Sequence, residues 1–368
     1  MESLGRTWRK LTRRNNSVSD TSSVDEAETT SSDSSDDSER GSARWGWLLL
    51  PLLLLLLVLL ALGWYWSWMP PSFNVGARAE VKLEQMNRSP VVGAATTITL
   101  MEVAGTLLDK PGGYLSNDVT PPSWWLDNMP NWEYGVLIQV RDMNKAMREA
   151  FSRSQSQSLE DEDLALAESR FNFNNDSWLF PPSEKQYRQG ISHLQAYLDR
   201  LTDPANQDAQ FFARADNLRY WLSTVETRLG NLSQRLSASV GQQRLNTDLA
   251  GDSAASAATP KPHDNYVKTP WLEIDDVYYE ARGASWALMH LLRAAEKDFS
   301  DILVKKNALV SLRQIIRELE ATQHTIYSPM ILNGSGFGML ANHSLVMASY
   351  ISRANAAIIN LRELLEQG

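Results

Sequence analysis

FFARADNLRYWLSTVETRLGNLSQRLS, residues 211–237, is the stretch on which the reading of the whole chain turns. Phe211, Ala215, Leu218, Leu222, Val225, Leu229, Leu232 and Leu236 recur at alternating steps of four and three. That spacing stacks side chains along one face of an α-helix, whereas a half-buried strand alternates with a period of two. Two-stranded coiled coils place charges beside such a seam. The flanking residues here are Gln210, Asp216, Asn217, Ser223, Thr224, Gly230, Asn231 and Ser237, which carry a single charge among them. The stretch is read as a long helix packed against its own neighbours, with a zipper between chains as the alternative.

The same period recurs on both sides of it. Ala94, Ile98, Met101, Gly105 and Leu108 form a stripe that opens behind Ser89-Pro90 and stops at Lys110-Pro111-Gly112-Gly113. Trp132, Val136, Val140, Met143, Met147 and Ala150 form a second, introduced by Asn131. Ser158 with Asp161, and Ser183 with Gln186, have the spacing of capping boxes. They predict a short acidic helix ending near Arg170 and a longer one over 184–201. Further helices are predicted over 274–300, about 301–323 and 342–366, joined by a glycine-rich connection at 328–340. No strand pair is evident. The predicted fold class is all-α, with a single N-terminal transmembrane helix followed by a soluble, bundle-like body of about eight helices.

Residues 45–68 supply the transmembrane anchor. From Leu48 to Leu62 only Pro51, Val58 and Ala61 interrupt a run of leucines that includes Leu52 and Leu57, and no charge lies between Arg44 and Arg78. As a helix, 45–68 is about 36 Å long at ~1.5 Å per residue, enough for a hydrocarbon core of roughly 30 Å. Trp45 and Trp47 at one end, and Trp64, Tyr65, Trp66 and Trp68 at the other, suit the headgroup level of a bilayer. Ala61-Leu62-Gly63 resembles a signal-cleavage site, but the preceding tail, 1–44, is long and mostly acidic, so an uncleaved anchor is the reading adopted. The nearby Lys/Arg are almost balanced across the span; the overall layout, a short tail then one span then a large body, favours a cytoplasmic N-terminus. The tail is basic to residue 14 and Ser/acid-rich beyond, a composition that predicts disorder. The body divides into a first half, 75–250, an Ala/Ser/Pro-rich linker, 251–264, and a C-terminal helical segment, 265–368.

With 44 Asp/Glu against 35 Lys/Arg, the chain has no excess of basic charge with which to bind nucleic acid. It has no cysteine, which removes disulfides, thiolate metal sites and cysteine nucleophiles. The five histidines show no ligand spacing, and the acids Glu273, Asp275, Asp276 and Glu280 suit the start of a helix. No nucleophile motif appears and no cofactor is called for. Two loops are richer than plain connections. One, 114–132, holds Trp124, Trp125 and Asn128; the other, 171–180, holds Asn174, Asn175 and Trp178. Flat aromatic faces beside amides suit a partner protein or the sugar rings of a cell-wall glycan. The alternative is that these rings cover helix ends and seal the core.

Three landmarks in order, Leu107-Leu108-Asp109-Lys110-Pro111-Gly112-Gly113-Tyr114, Pro121-Pro122-Ser123-Trp124-Trp125 and Trp178-Leu179-Phe180-Pro181-Pro182-Ser183, resemble an uncharacterised family of proteobacterial inner-membrane proteins with one N-terminal span. The resemblance covers most of the chain after about residue 75. It implies a bacterial source and a periplasm-facing body, and brings no catalytic residue with it. The expected function is a membrane-anchored envelope protein whose body binds a protein partner or serves a structural role. The rival expectation is a glycan-binding module or cell-wall enzyme using the two loops.

Overall fold

The computed structural model describes residues 39–154, 158–205, 208–245, 264–328, 330–335 and 338–367. In chain order its helices are α1 (Glu39–Trp66), α2 (Val75–Gln85), α3 (Ala94–Asp109), α4 (Asn128–Ala146), α5 (Glu162–Phe171) and α6 (Ser183–Leu201). They continue with α7 (Ala215–Ser237), α8 (Ile274–Asp298), α9 (Ser300–Lys305), α10 (Leu309–Ala321) and α11 (His343–Glu366). The expected disordered tail lies outside the described residues up to position 38, as does the expected linker from 251 to 263. The protein is mostly helical, as predicted, but two points differ. Among the described residues ten helices follow α1, against about eight expected, and β1 (Gln242–Leu245) pairs antiparallel with β2 (Asp264–Val267), Gln242 opposite Val267. The strands are too short and polar to alternate visibly, so they leave no period-two signal.

The chain divides within α1 into two compact units, Met1–Leu55 and Leu56–Gly368. In the first, the described residues are the opening turns of α1. Side chains of α1 are described from Leu50, so Trp45 and Trp47 lie outside them. Leu50 and every leucine from Leu52 to Leu57 is between 45% and 70% exposed. Among the described residues no helix is long and apolar enough to cross a membrane. The part of α1 with described side chains, 50–66, measures about 25 Å.

The second unit is built around α3, α4 and α8. The backbones of α4 and α8 meet so closely that a Cβ on Gly135 would lie 2.1 Å from the Glu280 carbonyl oxygen, and one on Gly283 would lie 2.0 Å from that of Trp132. The rings of Trp132 and Trp286, both buried, fill the space beside this crossing at 5.3 Å. α3 is enclosed on nearly every side, so Thr96, Thr97 and Thr99 are buried along with Ile98 and Leu100. It begins behind Gly93 (φ +93°), not at Ser89-Pro90. Its cap comes from the far end of α8, where an Asp298 carboxylate oxygen accepts from the Thr96 amide and hydroxyl at 2.7 Å each. A cap supplied from 202 residues away leaves no local signature.

Within the stretch 211–237, residues 215–237 form α7, with Leu218, Leu222, Val225, Leu229, Leu232 and Leu236 buried. Its seam is filled within the chain by α11, which runs antiparallel: Arg219 pairs with Glu366 at 2.8 Å, Arg362 with Glu226, and Ser233 reaches the Ala348 carbonyl. Phe211 stands before the helix and meets the rings of Phe151 and Phe299 instead. Both capping boxes differ from expectation. Asp161, not Ser158, accepts from the first amides of α5, and the Ser183 hydroxyl donates to the Asn174 and Ser177 carbonyls. The helix predicted over 301–323 is two, α9 and α10, broken at Asn307 (φ +51°). α2, unexpected from the sequence, is capped by Asn74 and buries Val75, Ala79 and Leu83.

Candidate functional site

Glu133 organises the first of the two aromatic loops. α4 carries its carboxylate into the core, where Lys110 Nζ meets it at 2.5 Å, and neither side chain is more than 1% exposed. The same carboxylate accepts from the amides of Leu115 and Ser116 at 2.9 and 2.8 Å and from the Ser116 hydroxyl at 2.5 Å. Burial pushes the carboxyl up, while Lys110 and these hydrogen bonds push it back towards the charged form. Lys110 also donates to the Gly113 carbonyl. Sealed from solvent and fully engaged, the pair fastens residues 110–116 to α4. Sequence reasoning missed it, because Lys110 reads as a helix terminator and Glu133 as one more polar residue on a helix.

From this fastener the first loop reaches the second. The Tyr114 hydroxyl donates to the Asn175 carbonyl at 3.0 Å. Asn117 Nδ2 donates to the Ser177 carbonyl at 2.8 Å and to Glu184 Oε2 at 2.7 Å. Arg141 holds the Phe171 and Phe173 carbonyls from α4 at 2.7 and 2.9 Å. The two loops, treated separately in the sequence, are therefore tied together.

What they present outward is mainly apolar. Val119, Trp124, Trp125, Trp178, Leu179 and Phe180 are all exposed, Trp124 by 72% and Phe180 by 93%. The amides contribute less than their number suggests. Asn117 is buried, Asn128 and Asn175 are half-buried, and Asn174 is exposed.

The last turns of α1 join this arrangement within the second unit. A Cβ on Gly63 would lie 3.5 Å from Pro122 Cβ and 3.9 Å from Leu126 Cδ2. Gly112, at φ +85°, has the Trp66 ring against it, 2.7 Å from where a Cβ would stand. Trp66 is thus turned towards the body, whereas Trp64, Tyr65 and Trp68 stay exposed and cluster, Trp68 lying 5.1 Å from Trp64 and 6.0 Å from Tyr65. The start of α8 approaches the same region: Asn131 Nδ2 donates to Asp276 Oδ1 at 2.6 Å. Partial burial pushes the Asp276 carboxyl up to about 6, with Asp275, Asp127 and Glu273 adding to the rise. No group of three His, Asp or Glu is placed to hold a metal ion among the described residues.

Fold and site together define a helical-bundle protein whose aromatic loops are gathered at the end of an N-terminal apolar helix. The chain belongs to the family described as an uncharacterized protein conserved in bacteria (DUF2333), whose model matches residues 38–368 and so includes the apolar helix as well as the body. No curated protein and no solved structure matches it.

Proposed function

We propose that this protein is a single-pass envelope protein of the bacterial inner membrane, its N-terminus in the cytoplasm and its helical body in the periplasm. The body acts there as a protein-interaction or structural module. The observation that carries the reading is the contrast along α1: leucines exposed around the helix from Leu50 to Leu57, then a final turn seated on the body at Pro122 and Gly112. A helix that is apolar all round is stable only where lipid or protein surrounds it. The span requires residues 45–49 as well, and Trp45-Gly46-Trp47-Leu48-Leu49 carries no charge. Membership of a bacterial family that includes this helix supports the assignment.

Extraction of bacterial membranes with alkaline carbonate tests the anchor. The full chain is expected in the pellet, and a variant carrying Leu53→Asp, Leu56→Asp and Leu60→Asp in the supernatant. Wild-type protein released by carbonate contradicts the reading. The glycan-binding alternative draws on the exposed Asn174 amide four residues from the exposed Trp178. It requires the detergent-solubilised full chain to sediment with cell-wall sacculi and to lose that property with Trp124→Ala plus Trp178→Ala. The reading favoured above predicts no sedimentation in either case.

A further inference from the structure

We propose that the face made by the two joined loops is a lipid-surface contact, so that the body rests on the headgroup layer through Trp124, Trp125, Trp178, Leu179 and Phe180 as well as hanging from α1. This rests on the anchoring reading above and adds a second, separable membrane contact.

Position is the first support. Gly63 of α1 faces Pro122, 3.5 Å from where a Cβ would stand, and Trp124 and Trp125 come two and three residues after Pro122 in a short 3-10 turn, Ser123–Trp125. These rings are therefore carried beside the end of α1 that bears the exposed Trp64, Tyr65 and Trp68. Indole and phenol rings partition to the headgroup level, so a membrane reached by the second group is within reach of the first. The Asn117 bond to Ser177 brings the residue next to Trp178 to the same loop.

Presentation is the second support. Phe180 is 93% exposed and sits at φ +49°, a conformation that bulky L residues rarely adopt. The segment is braced on both sides: the Ser177 hydroxyl donates to the Pro181 carbonyl at 3.0 Å and the Ser183 amide to the Ser177 carbonyl at 2.8 Å. Sparsely populated backbone conformations persist where the surrounding structure holds them, and they cluster at functional sites.

Charge selects the mode of contact. No Lys or Arg occurs from 111 to 140 or from 171 to 184, while Asp118, Asp127 and Asp176 are exposed within these segments. The loops themselves therefore offer no basic patch to anionic lipid, and insertion of rings into the headgroup region, which a zwitterionic surface supports, is the mode their composition favours.

The chain has no cysteine, so single cysteines can be spin-labelled in the full protein reconstituted into phosphatidylcholine nanodiscs. Val119→Cys and Leu179→Cys probe the loops and leave the large rings in place. Leu57→Cys is the hydrocarbon reference and Val310→Cys, on α10, the aqueous one. The expected result is collision with oxygen exceeding collision with a nickel chelate several-fold at 57, the inverted ratio at 310, and a ratio between these two references at 119 and 179. Adding Trp124→Ala, Trp125→Ala and Phe180→Ala should shift 119 and 179 towards the aqueous ratio and leave 57 and 310 unchanged. Loop probes that read water while 57 reads lipid overturn the docking and leave the anchor standing. A probe at 57 that reads water overturns both. Low accessibility to both agents at 119 and 179 places a second copy of this chain over the loops and also overturns the lipid contact.

Discussion

At the scale of single residues, two titratable groups pull stability in opposite directions. His290 Nε2 accepts from the Phe73 amide at 3.0 Å, so its Nδ1–H donates to the Trp286 carbonyl at 2.7 Å, and the ring stacks on Phe73. Burial lowers its pKa to about 4, with Arg293 assisting and the Trp286 carbonyl opposing. Between that value and the ordinary 6.5, the unfolded chain binds a proton that the native chain refuses. Stability is therefore lost as pH falls from about 6.5 towards 4, by on the order of 3 kcal/mol. Urea midpoints across this range should show the slope, and His290→Gln should flatten it. Asp276 has the opposite sign. Its raised pKa means that the native state keeps a proton the unfolded state has released between about 4 and 6, so its contribution falls as pH rises. Asp276→Asn is expected to raise the melting temperature at pH 7.5 and leave it unchanged at pH 4. The Lys110–Glu133 pair supplies a third case. Lys110→Met strands a buried carboxylate and should cost about 3–5 kcal/mol, with a double mutant cycle against Glu133→Gln showing strong coupling. No spacing rule links positions 110 and 133, which is why this fastener of the first loop was not legible in the sequence.

At the scale of elements, periodicity revealed those helices that bury one face, and it was blind to partners distant in the chain. α7 and α11 keep polar residues outward, so their stripes stand out, and Trp221 is the one large buried side chain of α7 that the stripe omits. Leu229→Ala in this seam should cost about 2–5 kcal/mol in a denaturation experiment. α3 is buried almost all round, which blurs a one-sided pattern, and its start depends on Asp298. The break between α9 and α10 had a local cue in Asn307, a residue type that tolerates positive φ, but the apolar spacing runs through it. The α4–α8 crossing was invisible for a different reason: glycine in a helix reads as a weakness until its opposing backbone is known. Gly135→Ala must push α8 away and is expected to destabilise the fold by about 1–3 kcal/mol or more, measured by the same denaturation.

At the scale of the whole molecule, the apolar helix was the most legible feature, since composition alone marks it. The rich composition of the two loops was equally visible. That they form one face could not be read, because the bonds joining them run from Tyr114 and Asn117 to backbone carbonyls about 60 residues away. This joining turns two aromatic loops into a surface beside the last turns of α1, and it gives the proposed anchor and the proposed lipid contact a common side of the body. The orientation proposed for that anchor puts the body in the periplasm. Paired reporters fused behind Gly368 of the full chain in a bacterial host test that most directly, one active only after export and the other only in the cytoplasm. The predicted result is activity of the exported reporter alone. Activity of the cytoplasmic reporter alone would contradict a periplasmic body.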